Sequence, residues 1–360
     1  MKKIFLIVLL SVASLCSAQF VVQNTPATGI FQSVSSSSNS YAWACGYGGT
    51  LVRTTNAGSN WLLANGNISS ARDIFNIWAI DSLVAVVAAS NTSFNEAYIY
   101  KTTNGGVNWS QTFFQSSGFI NAISFINSTT GFAAGDPVGG RWGLFRTTDA
   151  GSTWDSTGLY LPAIGSEVGH DNSLFYEGSK IWFGTQSGKI YFSSNSGSTW
   201  TSSQTPMNSV SRIYFNDALS GIGFSGCENT AGVRLAKTTN GSVWVNGNSI
   251  EDLSVRGICG IKGSSTYWIT YSNNIYATTN NGNNWSPVFN FSQGGFIYNL
   301  TSSRSGEYPR TIYGCTSNGK IIVGNTNTIG IKLLSSEIPD RFELKQNYPN
   351  PFNPTTKINF

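Results

Sequence analysis

Charge is scarce in this chain: Asp, Glu, Lys and Arg make up only 11% of its 360 residues. Lys and Arg outnumber Asp and Glu by 21 to 17, a formal +4. An imbalance that small excludes the electrostatic grip by which proteins hold nucleic acid or an acidic membrane. Histidine is nearly missing; His170 is the single one. The cysteines fall at spacings that match no zinc or haem pattern. Long hydrophobic runs are absent. The longest apolar stretch, residues 4–15, has twelve residues, and a bilayer-spanning helix needs about 20. No transmembrane segment is therefore expected in the mature chain. There is no P-loop, nucleophile elbow or zinc motif, so neither a cofactor nor a metal is expected. GYGGT at 46–50 is Gly-rich, but no helix follows it, and it reads as a tight β-turn.

What the chain does have is Ser, Thr, Asn and Gly in quantity, with aromatics at 13%. Turn formers, aromatics and few charges point to an all-β extracellular protein. Residues 1–18 read as a secretory signal peptide, with basic Lys2 and Lys3, an apolar core and a Cys16-Ser17-Ala18 cleavage site. Losing the two lysines lowers the charge from +4 to +2. Cys45, Cys227, Cys259 and Cys315 then remain. An oxidising compartment permits disulfides; the spacing pairs none of them, and buried free thiols are the favoured reading.

One phrase recurs. TTNAGSNW (54–61), TTNGGVNW (102–109), TTDAGSTW (147–154), SSNSGSTW (193–200) and TTNNGNNW (278–285) share a pattern, and TTNGSVW (238–244) lacks one residue of it. Their tryptophans, Trp61, Trp109, Trp154, Trp200, Trp244 and Trp285, stand 41 to 48 residues apart. That period suits a four-stranded propeller blade. The third unit shows the expected division: strands at 120–127, 131–136, 143–148 and 153–159, separated by turns. A seventh unit without the phrase follows, giving seven four-stranded antiparallel blades over residues 19–334. FVVQN (20–24) and GIKLL (330–334) compete as the strand that closes the ring.

The phrase resembles the Asp-box of bacterial neuraminidase-type repeats. The resemblance implies a turn between third and fourth strands. Asn56, Asn104, Asp149, Asn195, Asn240 and Asn280 would accept backbone N–H bonds there. A glycine such as Gly151 would supply a positive φ, and the tryptophan would pack between blades. Asn carries no charge, so a calcium role is not expected. Blade phrases such as GDPVGGRWGLFRTTDAGSTW are similar to secreted propellers of the photosystem II assembly-factor-like and sortilin-like groups. QNYPNPFNPTT, near the end, resembles the start of the type A sorting domain of the type IX secretion system of Bacteroidetes and their relatives. That implies a short linker at 335–340, the start of a C-terminal β-sandwich sorting domain at 341–360, the secretion machinery as a partner, and a secreted or cell-surface protein. The family domain continues for several strands more than this chain carries.

In an up-and-down blade the box turns lie at one face. The second-to-third turns and the blade connections lie at the other, and function is expected at that loop face. Its richest segments are 136–142 and 161–172. Asp136, Glu167, His170 and Arg141 are the candidate catalytic groups, and Trp142 and Asp171 the candidate binding groups. Arg72, Asp73, Glu96, Glu228, Glu251, Asp252 and Arg256 share that face. Asp136 and Glu167 could supply the two carboxylates of a glycosidase. Arg53, Lys101, Arg146 and Lys237 hold one equivalent third-strand position, the mark of a repeated structural contact. Two functions are in view. One is a non-catalytic propeller that binds an extracellular protein or glycan through loops carrying Trp142 and Phe94. The other is a glycan hydrolase, sialidase-like or otherwise.

Overall fold

The computed structural model describes residues 20–225, 234–247, 255–326, 348–353 and 355–357. The expected signal peptide, Cys227, Glu228, Glu251, Asp252, the expected linker and GIKLL lie outside these. The chain divides into two units, Met1–Ile329 and Gly330–Phe360. The first contains seven antiparallel sheets and, among the described residues, no α-helix. Their innermost strands are Phe31–Ser36, Arg72–Ala79, Ile120–Phe125, Gly169–Glu177, Arg212–Phe215, Val255–Gly260 and Ile297–Ser302. Each packs against the next, and the seventh against the first, so the sheets are blades around one channel. In the second unit Tyr348–Asn353 pairs antiparallel with Thr355–Lys357. Proline-rich YPNPFN is therefore itself a strand beside the strand expected from TTKINF.

The ring closes through the N-terminal candidate. Val21–Asn24 is the outermost strand of blade seven, pairing with Lys320–Asn325 so that Val21 faces Val323 and Asn24 faces Lys320. A second latch lies at the same seam. The Asn39 side chain, from blade one, donates to the Glu307 carbonyl at 2.8 Å and accepts the Thr311 N–H at 3.0 Å. Blade-seven Tyr313 donates its hydroxyl to the Asn39 carbonyl at 2.7 Å. Blade three departs from the expected pattern. Its fourth strand shrinks to two isolated bridges, Arg146–Asp155 and Arg141–Pro162. Between them the chain turns at Gly158, φ +74°, and Pro162 has no N–H to give a ladder.

The repeated phrase builds one hydrogen-bonded turn six times. Its first hydroxyl is buried in every copy: Thr54, Thr102, Thr147, Ser193, Thr238 and Thr278. That oxygen donates to the Asn or Asp two residues on, as in Thr147 to Asp149 at 2.8 Å. It also accepts the glycine N–H, as from Gly151 at 2.9 Å. The Asn or Asp in turn accepts the N–H of the residue before the tryptophan, as from Thr153 to Asp149 at 2.9 Å. In the five full-length copies two successive left-handed residues make the bend, for example Ala150 and Gly151 with φ of 60° and 80°; in the fifth blade Gly241 alone is left-handed. Glycine holds the second place because it abuts the preceding blade. A Cβ on Gly106 would stand 2.3 Å from the Ala64 carbonyl. In the fifth blade the phrase is a residue short, and Thr238 takes the N–H three residues on, from Gly241, at 2.9 Å.

This turn aims each tryptophan into the seam with the preceding blade. Trp109 meets Trp43 edge-on at 6.0 Å and donates to the Ala64 carbonyl at 2.8 Å. Trp61 meets Tyr313 at 6.2 Å, and Trp244 packs in one cluster with Trp182. Trp154, Trp200 and Trp285 join the clusters of blades two, three and five. Seven apolar clusters fill the seven seams. The seam between blades six and seven has no box tryptophan. Phe20 takes that place: like each tryptophan it immediately precedes an outermost strand, and it packs on Phe289 at 5.4 Å. The repeated third-strand cations also reach the next blade. Arg53 donates to the Ser82 carbonyl at 2.6 Å, Lys101 to Ser152 Oγ at 2.8 Å and Lys237 to Asn283 Oδ1 at 2.8 Å. Arg146 instead stays on its own blade, with the Thr157 carbonyl and Asp155. Cys45, Cys259 and Cys315 are buried free thiols.

Phe20→Ala should open a cavity in the seam that lacks a box tryptophan and lower the unfolding free energy by about 3–5 kcal/mol in urea titration. Thr147→Val, nearly isosteric, should cost about 1–3 kcal/mol because the Gly151 N–H is left buried and unpaired.

Candidate functional site

The loop-face mouth of the channel is shaped by irregularities in the innermost strands. Each of five carries one extra residue at the same level: Gln32, Phe75, Asn121, Arg256 and Tyr298. Bulges of this kind redirect side chains and collect near functional sites. Blade four goes further. Gly169 pairs with Thr185 and Leu174 with Phe183, so four residues, 170–173, stand opposite Gly184 alone. Asn172, φ +60°, heads this loop. Its side chain crosses the bore to blades one and two. Oδ1 accepts from Ser33 Oγ at 3.1 Å and from Asn76 Nδ2 at 2.6 Å; Nδ2 donates to the Phe75 carbonyl at 3.1 Å. From blade five, Arg212 donates to the Asp171 carbonyl at 2.6 Å.

Three of the six candidate residues meet here. Asp136 accepts the Gly169 N–H at 2.8 Å. Burial raises its carboxyl above the usual range, although the Gly169 bond and the Asn121 side chain oppose this. Asp171 is pushed up to about 6 by burial, with the Asp136 charge adding to it and Arg212 and Asn121 working against it. His170 is pushed down to about 4 by burial and then by the Arg212 charge. The site thus contains two neighbouring carboxyls, a neutral imidazole and a guanidinium. Arg212, Asn121 and Asn172 were not legible as members. Their one signal is position: each sits at or beside an innermost strand, at the level of the bulges.

The other three candidates lie elsewhere. Glu167, 8% exposed, is consumed within blade four. Oε2 accepts from the Tyr191 hydroxyl at 2.6 Å; Oε1 accepts from Ser187 and from Thr185 at 3.3 Å, with Lys189 Nζ at 3.5 Å. Asp136 and Glu167 are therefore not a free pair. Trp142, 1% exposed, packs on Phe183 at 4.9 Å and Tyr191 at 5.4 Å inside the seam of blades three and four. Arg141 lines a separate crevice of ≈ 230 Å³ with Phe113 and Phe114, which belong to the outermost strand of blade two. Asp73 accepts the Gly48 N–H at 2.8 Å, and Arg72 lies over the Tyr98 ring, whose hydroxyl donates to Glu96 at 2.6 Å.

An aromatic rim surrounds the acidic cluster. Phe75 is its hub, in edge contact with Tyr47 at 5.8 Å, Phe94 at 5.6 Å and Phe119 at 5.0 Å. Arg256 lies over Tyr298 at 4.6 Å and Phe296 at 5.5 Å. Tyr47, Phe94 and Phe296 are exposed. The phenol of Tyr47 is raised by burial and by the charges of Tyr298, Asp171 and Asp73, an independent sign that the rim and the acids share one field.

The two shifted groups oppose each other in acid. Asp171 holds its proton more tightly folded than unfolded, so it withdraws stability as pH rises from about 4 to 6; His170 holds its proton less tightly, so it adds stability over about 4 to 6.5. Each effect is roughly 3 kcal/mol at full extent. Wild-type stability should vary less from pH 4 to 6 than that of the His170 variant, with the raised Asp136 carboxyl adding to the Asp171 side. His170→Gln should become less stable with rising pH over that window and Asp171→Asn more stable, measured by urea unfolding at fixed pH values.

Comparison with known proteins places the fold and no more. No protein-family model and no curated protein matches the chain. Among solved structures, YCF48 with a bound D1 peptide is similar at TM-score 0.64 and 14% identity, covering 85% of this chain and 97% of that one. The GH74 enzyme of Niastella koreensis matches at TM-score 0.58 and 16% identity, over 84% of this chain and 53% of that one. The RRP9 WD40 repeats match at 0.64 and 8%, over 85% and 97%. The likeness to assembly-factor-like propellers thus holds for the seven-bladed ring.

Proposed function

We propose that the protein is an exported, non-catalytic propeller that binds a protein segment or a glycan at its loop-face channel mouth. The observation that carries this reading is the exposed aromatic rim of Tyr47, Phe94 and Phe296, set on a buried polar floor. Rigid aromatics around a concave centre supply contact area at small entropic cost. Among the described loop-face acids, Asp73, Glu96, Asp136 and Glu167 are tied into the scaffold, which weighs against hydrolysis. YCF48, similar in fold, carries a bound peptide. The N-terminal segment and QNYPNPFNPTT support export through the type IX system to the cell surface or medium.

Glycan hydrolysis is the second reading. Asp171, pushed up to about 6, stands beside Asp136, so one carboxyl can carry a proton while the other is ionised.

Residues 19–360 should select ligands from a random peptide library or a glycan array. Phe94→Ala combined with Phe296→Ala should weaken the recovered ligand at least about tenfold. Loss of no affinity would place binding elsewhere. Fluorogenic glycosides assayed from pH 4 to 8 should not turn over; turnover abolished by Asp171→Asn would establish the hydrolase instead.

A further inference from the structure

A second cavity occupies the other half of the channel. Asn172 and Arg212 form its inner end, and it opens at the box face between the ends of the innermost strands. Its volume is ≈ 620 Å³, within the range of pockets that enclose small organic ligands. The walls are mostly apolar, with Trp78, Phe125, Leu174, Ile213, Tyr214 and Leu300 among them. Three cations, Lys262, Arg304 and Arg310, stand around the opening, against one carboxylate, Glu177.

These charges are not equivalent. Lys262 donates to Glu177 Oε1 at 2.9 Å, so those two largely cancel. Arg304 lies over the Trp78 ring, 4.1 Å from its centroid, and donates to Ser35 Oγ at 3.1 Å and to the Ala79 carbonyl. Its charge has no carboxylate partner among the described residues. Arg310 is the informative group. Its Nη1 is buried and has no hydrogen-bond partner among the described residues. A guanidinium N–H left in that condition is costly, and no carboxylate among the described residues offsets the Arg310 charge at the opening, where an anionic group would be drawn. A net positive opening over apolar walls suits a molecule with the opposite arrangement.

We propose that the box-face cavity binds a small organic anion, a carboxylate or phosphate on an apolar or aromatic body. The head group accepts from Arg310 in the field of Arg304, and the body lies against Trp78 and the aliphatic wall. Asn172 and Arg212 stand between this site and the loop-face mouth.

Three probes test it by ligand-observed saturation-transfer NMR on residues 19–360: phenylacetate, phenyl phosphate and the neutral phenylacetamide. The anions should bind at least about tenfold more tightly than the amide, and added salt should narrow the gap. Which anion binds more tightly distinguishes a carboxylate site from a phosphate site. Arg310→Gln should weaken the anions about tenfold and leave the amide unchanged, a pattern that general unfolding does not produce. Glu177→Gln, which removes the one negative charge of the lining, should tighten the anions about threefold. Absence of binding, equal binding of the amide, or an Arg310→Gln variant that weakens all three probes alike would overturn the proposal.

Discussion

A buried hydroxyl at the head of each box turn is the interaction on which the ring depends. Thr54, Thr102, Thr147, Ser193, Thr238 and Thr278 each tie a glycine N–H and an Asn or Asp side chain to the same point. Two successive left-handed residues are an unfavourable backbone unless something fixes them. The hydroxyl fixes them, and the strand that follows then begins with its tryptophan pressed into the neighbouring blade. The requirement at the third position is an acceptor, not a charge, which is why Asn serves five times and Asp once. Asp149, the exception, is held down to about 2: its partial burial acts the other way, but bonds from Thr153 and Thr147 outweigh it.

The architecture was open to reading because its cause is local and repeated. The same eight letters impose the same turn, and the period between tryptophans gives the blade. Even Phe20, which breaks the letter of the pattern, keeps its physics: a large ring just ahead of an outermost strand. What could not be read was competition between distant segments. Nothing in FVVQN or GIKLL says which one reaches Lys320–Asn325, because pairing is decided by where the ring brings the termini. The fourth strand of blade three failed for a local reason, Gly158 and Pro162, which the alternation of residues concealed.

The site was less legible than the scaffold, and Glu167 and Trp142 show why. Both occupy segments rich in Gly and polar residues, and both were expected to face solvent. Glu167 is instead satisfied by Thr185, Ser187, Tyr191 and Lys189, from strands that follow it. Trp142 is one residue along a strand from Arg141, and side-chain alternation sends the two to opposite surroundings. Asp136, His170 and Asp171 do come together, but the groups that tune them come from elsewhere: Arg212 from blade five, and Asn121 from the strand beside that of Asp136. Burial lifts the carboxyl to about 6 against the pull of the Arg212 guanidinium, and burial with that same guanidinium holds the imidazole at about 4; neither cause is written beside those residues in the chain.

Asn172 has a consequence of a different kind. Its single carboxamide is a tie-rod across the wheel, anchored in blade four and fastened to blades one and two. Molecules lodged at opposite ends would meet the same beam. The two openings thus back onto the same pair of residues, Asn172 and Arg212, from opposite sides.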